Sequence, residues 1–215
     1  MKTYKVIDQL RLIDGELMCK KPSGRSYQKA HFKQGDLDGA CGAYSISMVL
    51  NILGVFDADE FLCPGKDDKR TAKWKLIQAL NEQGLYRNGL TSDKIQELLT
   101  KSYSSHVVVQ CADKSQHNLI DLTKTWLENN IPIILGINYN SNDGHWIVVV
   151  GYALDENGEL TNLLTLDPSN DSPKCSLWNG ILNVRKEPRK KFGYQYCTND
   201  VRMVDVEEAI IITGK

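Results

Sequence analysis

Apolar residues change their spacing along this chain near residue 131. Before that point they recur at helical intervals, and after it they come in continuous or alternating runs. The pattern predicts a first helix over about 40–53, where Ala43, Ile46, Val49, Leu50 and Leu53 share one face and Gly54 supplies a C-terminal stop. A second is expected over 71–83, with Trp74, Ile77 and Leu80 on one face and Gly84 beyond its end. A third, over 92–101, takes Thr91 or Ser92 as its cap and gains from Asp93 near its positive end. A fourth, over 116–129, carries the stripe Leu119, Leu122, Trp126 and Leu127. One strand, 106–112, stands among these helices, and 57–70 reads as loop.

From 131 onward the β-prone runs are 131–138, 145–154 and 160–166, with shorter ones near 180–186, 192–197 and 204–213. Asp155-Glu156-Asn157-Gly158 reads as the turn of a hairpin between the second and third runs. Helices first and an antiparallel sheet afterwards predict an α+β fold. The expected layout is one domain over 1–215: an N-terminal extension over 1–33, a mainly helical part over 34–130 and a mainly β part over 131–215. Within the extension, Val6-Ile7 and 10–13 suit short strands, Asp14-Gly15 a turn, and 20–26 a basic, solvated loop.

Composition narrows the function classes. Lys and Arg number 26 against 27 Asp and Glu, a formal charge of −1 over 215 residues. Nothing in that balance points to nucleic acid or to a membrane surface. The longest apolar runs are about eight residues, far short of the ~20 that a membrane span needs. Asp8 and Gln9 interrupt any signal-peptide core, so the expected location is cytoplasmic, or outside the cell by a route without a Sec signal. Six cysteines stand at 19, 41, 63, 111, 175 and 197, with no Cys-x-x-Cys pair. That spacing predicts free thiols, no zinc site and no cofactor. Cys111, inside an apolar run, reads as a buried strand residue.

Cys41 differs from the other cysteines because it opens the first helix. A thiolate, not a thiol, is the nucleophile, and a helix start and an imidazolium partner both favour it. Gly39 and Gly42 flank Cys41 closely and leave room for a substrate backbone. The Cys41 backbone N–H can aim at a developing oxyanion, and the side-chain amide of Gln34 can supply a second donor. His145 follows Gly144 at the start of a strand, with Trp146 and an Ile-Val-Val-Val run behind it as an apolar wall. Asp167 ends the partner strand. Counted outward from Asn157, His145 and Asp167 fall within about one residue of facing each other if the ladder has no bulge. The carboxylate is then placed to orient the ring and favour its charged form. His31, His106 and His117 lack such surroundings and receive no role.

Cys41-Gly42-Ala43-Tyr44-Ser45-Ile46-Ser47-Met48-Val49-Leu50, then Gly144-His145-Trp146, Gly151-Tyr152 and Asp167-Pro168, together resemble the papain-like cysteine peptidases, and within them the C39-like group. The resemblance implies a papain-like fold, with the nucleophile helix packed on a C-terminal antiparallel sheet. It implies Cys41 as nucleophile, His145 as acid–base, Asp167 as orienter and Gln34 as oxyanion donor, with a protein or peptide as substrate. Gly42 stands where papain-type enzymes carry an aromatic residue. Folds of this kind also serve glutamine deamidases and acyl or amide transferases, many of them bacterial effectors. A catalytically silent binding module is the third reading.

Overall fold

We describe the fold from a computed structural model of the chain; it describes residues 2–35, 39–57, 68–82, 89–140 and 143–215, and the side chain of Asn81 is left aside. Gly84, expected to end the second helix, and Cys63 lie outside the described residues.

The molecule is α+β. Eleven strands and four helices occur among the described residues. The helices are α1 (Cys41–Ile52), α2 (Ala72–Glu82), α3 (Ser92–Tyr103) and α4 (Leu119–Glu128). The strands are β1 (Thr3–Val6), β2 (Arg11–Ile13), β3 (Glu16–Lys20), β4 (Tyr27–Lys29), β5 (Val107–Asp113), β6 (Ile133–Asn138), β7 (Gly144–Leu154), β8 (Leu160–Leu166), β9 (Gly180–Asn183), β10 (Tyr194–Cys197) and β11 (Val201–Gly214).

Helix caps set the helix limits. Thr91 caps α3 by accepting from Lys94 N. Asn118 caps α4, taking Ile120 N and Asp121 N, so that helix begins at Leu119, the first residue of its apolar stripe, and not at the expected residue 116. Before it, Asp113 Oδ1 accepts from Ser115 N and turns the chain away from helix.

The main sheet has eight strands, antiparallel throughout. Six of them, in the order β7-β6-β11-β10-β9-β8, close into a barrel because β8 also pairs with β7. β1 adds to β7, and β5 adds to β11. β6 and β7 are buried on both faces, which explains why their sequences run apolar without alternation. Cys111, read as buried, is exposed on β5. Among the described residues that strand pairs with β11 alone, and its burial is confined to Val107 and a few half-covered positions.

Eleven of the twelve residues of α1 are buried, Tyr44 being the exception. A helix covered all round is a core helix. It lies between β6 and β7 on one side and β3 on the other. Its polar side chains are each bonded: Ser45 Oγ donates to Trp146 O at 3.3 Å, Ser47 Oγ to Ala43 O, and Asn51 Nδ2 to Lys29 O. Within residues 2–33, Ile7, Leu10, Leu17, Cys19 and Ala30 join the core. β1 extends the main sheet, and the small β2-β3-β4 sheet caps α1 through buried Leu17 and Cys19. β3 and β4 go unmarked in the apolar pattern because so few of their residues face inward.

The β7–β8 hairpin corrects the bulge-free ladder. Its register shifts twice, between Ala153 and Leu154 and between Val149 and Gly151. Thr161 is the extra residue on β8 at the first shift, and Val150 the extra residue on β7 at the second. The two lie on opposite strands, so their effects on the pairing cancel.

Candidate active site

Cys41 is the first residue of α1, and the Ala40 cap makes no side-chain hydrogen bond to the helix. The first-turn N–H groups are thus left for other partners. Cys41 is 8% exposed, His145 8% and Asp167 2%. The Cys41 thiol lies beside the His145 ring at the same cleft, near enough to act on its charge. The other face of that ring meets Asp167, with Nε2 at 2.8 Å from Oδ1. Since Nε2 serves the carboxylate, Nδ1 is the nitrogen left for sulfur. Helix α1, strand β7 and the end of β8 thus bring together the three residues singled out by the sequence.

Charge follows from that geometry. Burial by itself pushes the His145 imidazole down, but hydrogen bonds to Asp167 and Cys41, together with their charges, overcome it and push the pKa up from 6.5 to about 9. Asp167 shows the mirror case. Burial raises it, yet the His145 hydrogen bond and charge, aided by Ser169 N and Tyr196, hold it below the usual carboxylate value.

Asp167 is held on every side. Its N–H donates to Asn179 Oδ1 at 2.7 Å, and its carbonyl accepts from Asn179 Nδ2 at 3.0 Å. His31 Nε2 lies 2.9 Å from the same carbonyl. Oδ1 accepts from Ser169 N at 2.8 Å, and Oδ2 accepts from the Tyr196 hydroxyl at 2.8 Å. Ser169 Oγ stands 3.4 Å from His145 Nε2. Sequence reasoning missed His31, Ser169, Asn179 and Tyr196. The turn of Asp167-Pro168-Ser169 was the one legible signal, since an Asp side chain commonly accepts from the N–H two residues on.

A cleft of about 750 Å³ opens at Cys41 and His145, lined also by Gln34, Gly39, Leu90, Thr91 and Trp146 among others. Gln34 is anchored by its backbone N–H to Pro168 O at 2.8 Å. Its Oε1 is buried without a partner among the described residues. Trp146 is fixed by its indole N–H on Leu90 O at 2.7 Å. Its ring occupies room left by Gly136, where a Cβ would come within 3.0 Å of it. Gly42 faces Leu90 and Trp146; a Cβ there would meet them at 3.1 and 3.3 Å. It acts on the cleft through those two neighbours. Among the described residues no group of His, Cys, Asp and Glu is arranged to hold a metal ion, and no helix is long and apolar enough to cross a membrane.

A buried thiol and an imidazole that a carboxylate holds thus meet at the mouth of one cleft, residue types that suit nucleophilic chemistry at sulfur. The family comparison agrees: the model described as "Peptidase_C39 like family" matches residues 25–179, well over half of the chain. The chain belongs to the Peptidase_C39 like family. Membership supports a cysteine peptidase-like enzyme acting on proteins or peptides. The matched segment contains α1, β7, β8, Gln34 and the whole Cys41–His145–Asp167 row. Among curated proteins, none matches the chain.

Proposed function

We propose that this C39-like chain is a cysteine hydrolase of papain-like arrangement, with Cys41 as nucleophile, His145 as acid–base and Asp167 as orienter. The observation that carries the reading is the placement of Cys41 and His145 on one cleft, with the His145 ring held by Asp167 at 2.8 Å.

In this reading the Cys41 thiolate attacks the substrate carbonyl carbon. The carbonyl π electrons move to oxygen, and the oxyanion meets the Cys41 backbone N–H and the Gln34 side-chain amide. The His145 imidazolium gives its proton to the leaving nitrogen as the C–N bond breaks. A thioester and neutral imidazole remain. Water, losing a proton to His145, attacks the thioester and releases the carboxylic acid and the thiolate. Asp167 keeps the ring turned toward sulfur throughout. Gln34 lines the same cleft as Cys41, a position that fits the oxyanion role.

The same acyl-enzyme formed on a glutamine side chain would release ammonia, or pass the acyl group to an amine. Mass spectrometry of a cell extract treated with wild type or with Cys41→Ala separates these outcomes. New chain termini that need Cys41 support peptide or isopeptide cleavage. Gln-to-Glu changes without new termini mean deamidation, and new amide cross-links mean transfer. Identical extracts, with a Cys41 that alkylates no faster than the exposed Cys111 and Cys175, would leave a binding module.

A further inference from the structure

Tyr196 lies one hydrogen bond from the His145–Asp167 pair and is itself 2% exposed. It stands on β10, far from Asp167 in sequence, and its hydroxyl donates to Asp167 Oδ2 at 2.8 Å. A phenol has one proton to give. The 3.2 Å contact between Tyr196 Oη and Thr165 Oγ1 therefore runs the other way, with Thr165 donating. Hydrogen bonds thus run in one direction, from Thr165 to Tyr196 to the carboxylate. Both oxygens of Asp167 are occupied: Oδ2 by the phenol, Oδ1 by His145 and Ser169.

The fold makes a specific space for that hydroxyl. Gly180 on β9 pairs with Thr165 on β8. A Cβ at Gly180 would stand 2.4 Å from Thr165 Oγ1 and 2.7 Å from the Tyr196 hydroxyl. A residue with a side chain there would push the phenol off the carboxylate. A phenylalanine would fill the same barrel position without the desolvation cost of a hydroxyl. Burial, together with the Asp167 charge, holds the Tyr196 phenol well above its ordinary pKa, so it remains a donor at every pH of interest.

We infer that Tyr196 is a positioning residue of the candidate site: its hydroxyl fixes the rotation of the Asp167 carboxylate and, by drawing on its charge, sets how strongly that carboxylate holds the His145 imidazolium. The inference rests on the thiol–imidazole reading above. A carboxylate shared among several donors is a weaker base. With the phenolic donor gone, Asp167 should hold the imidazolium proton more tightly. Among the described residues, the other charged or titratable groups near the pair include Cys41, Tyr139 stacked on the His145 ring at 6.1 Å, His31, the Asp200–Arg202 pair beyond Tyr139, and Asp143, Glu207 and Glu208 along the cleft. None is altered by the substitutions below.

The test reads the His145 titration by NMR of the histidine ring protons, with His145→Ala to assign the signal. The proteins compared are wild type, Tyr196→Phe, Gly180→Ala and Thr165→Val. Tyr196→Phe should move the His145 midpoint upward by about half a pH unit or more. Gly180→Ala should move it the same way with the tyrosine still present, and Thr165→Val by less. Should Tyr196→Phe lower the melting temperature yet leave the midpoint at the wild-type value, Tyr196 is only a packing residue and the inference falls. Tyr196→Phe adds no atoms, so it decides the matter even if Gly180→Ala does not fold. Iodoacetamide alkylation of Cys41 against pH, located by peptide mass, is run in parallel on wild type and His145→Ala. Superimposable curves would defeat the thiol–imidazole reading itself. Curves that differ, with an unmoved midpoint in Tyr196→Phe, defeat only the role of Tyr196.

Discussion

Asp167 reaches His145 along a diagonal of the β7–β8 hairpin. The last ladder pair before it is Val148↔Leu166. One step further sets Asp167 opposite Ile147, two residues along the strand from His145 and on the same face. Diagonal neighbours lie ~7–8 Å apart at the backbone, within reach of two side chains of this size. The 2.8 Å contact is the result. A single bulge would have turned Asp167 to the opposite face; two bulges on opposite strands restore it.

Cys41→Ala and His145→Ala should each remove turnover, by a factor on the order of 10⁴ or more, since nucleophile and base act as one unit. Asp167→Ala should cost less, because a ring without its orienter still samples the productive angle. Both effects are read with the Cys41-dependent product found in treated extract. Full activity in His145→Ala beside an inactive Asp167→Ala would reverse the roles.

The His145–Asp167 pair should stabilise the fold over a defined pH window. The folded His145 pKa, about 9, lies above its ordinary 6.5. Its contribution is therefore complete below about pH 6.5 and lost as pH rises toward 9. The folded Asp167 value lies below 3.8, so its contribution is present above that and lost as pH falls below it. His31 is lowered chiefly by burial, so its contribution is complete above 6.5 and shrinks on the acid side. The stability difference between wild type and His145→Ala, measured by urea unfolding at several pH values, should be largest near pH 5–6 and shrink by roughly 2–3 kcal/mol by pH 9. A difference that grows above pH 7 would contradict the raised value.

Gly42→Ala should impair the cleft more than the fold. The new methyl would press on Leu90 Cβ and Trp146 Cδ1 at 3.1 and 3.3 Å, two residues that line the cleft. Alanine also favours helix over glycine by up to ~1 kcal/mol, which offsets part of the crowding. The expected outcome is a melting temperature near that of wild type and a several-fold loss of Cys41-dependent product. Unimpaired product formation would show that Leu90 and Trp146 move aside freely.

Gly151→Ala should loosen β1. Gly151 pairs with Val6, and a Cβ there would lie 2.4 Å from the Lys5 carbonyl and 3.0 Å from Val6 Cα. Backbone cannot step aside as a side chain can. Hydrogen exchange should show earlier opening of residues 3–7, with a stability loss of ~1–3 kcal/mol. Unchanged protection of that strand would refute the close approach.

Much of this architecture is legible in the pattern of residues, and the exceptions have physical causes. α1 is readable because its apolar positions recur along a capped stretch, and Cys41 because it stands at that stretch's first position. β6 and β7 are readable because burial on both faces demands nearly continuous apolar residues, and β8 because it returns from the Asp155–Gly158 turn. β3 and β4 are not, because the alternation of Leu17 and Cys19 lasts only two inward positions and the inward residue of β4, Gln28, is polar. The two bulges leave no mark either, since Thr161 and Val150 look like ordinary strand residues. Tyr196, Asn179 and His31 come to Asp167 from distant parts of the chain, and only closure of the barrel and docking of the N-terminal residues bring them there.

Barrel closure has a further consequence for how this protein can be taken apart. The family likeness ends at residue 179, yet β9, β10 and β11 all follow it. β11 is the strand between β6 and β10, and it also carries β5. A fragment trimmed to the recognisable segment would keep Cys41, His145 and Asp167 but expose the bare edges of β5, β6 and β8. It would also lose the phenol that holds the carboxylate. Such edges seek partners in other chains, so the trimmed piece should precipitate before it turns over substrate. The segment that matches the family and the segment that closes the barrel end at different places on this chain.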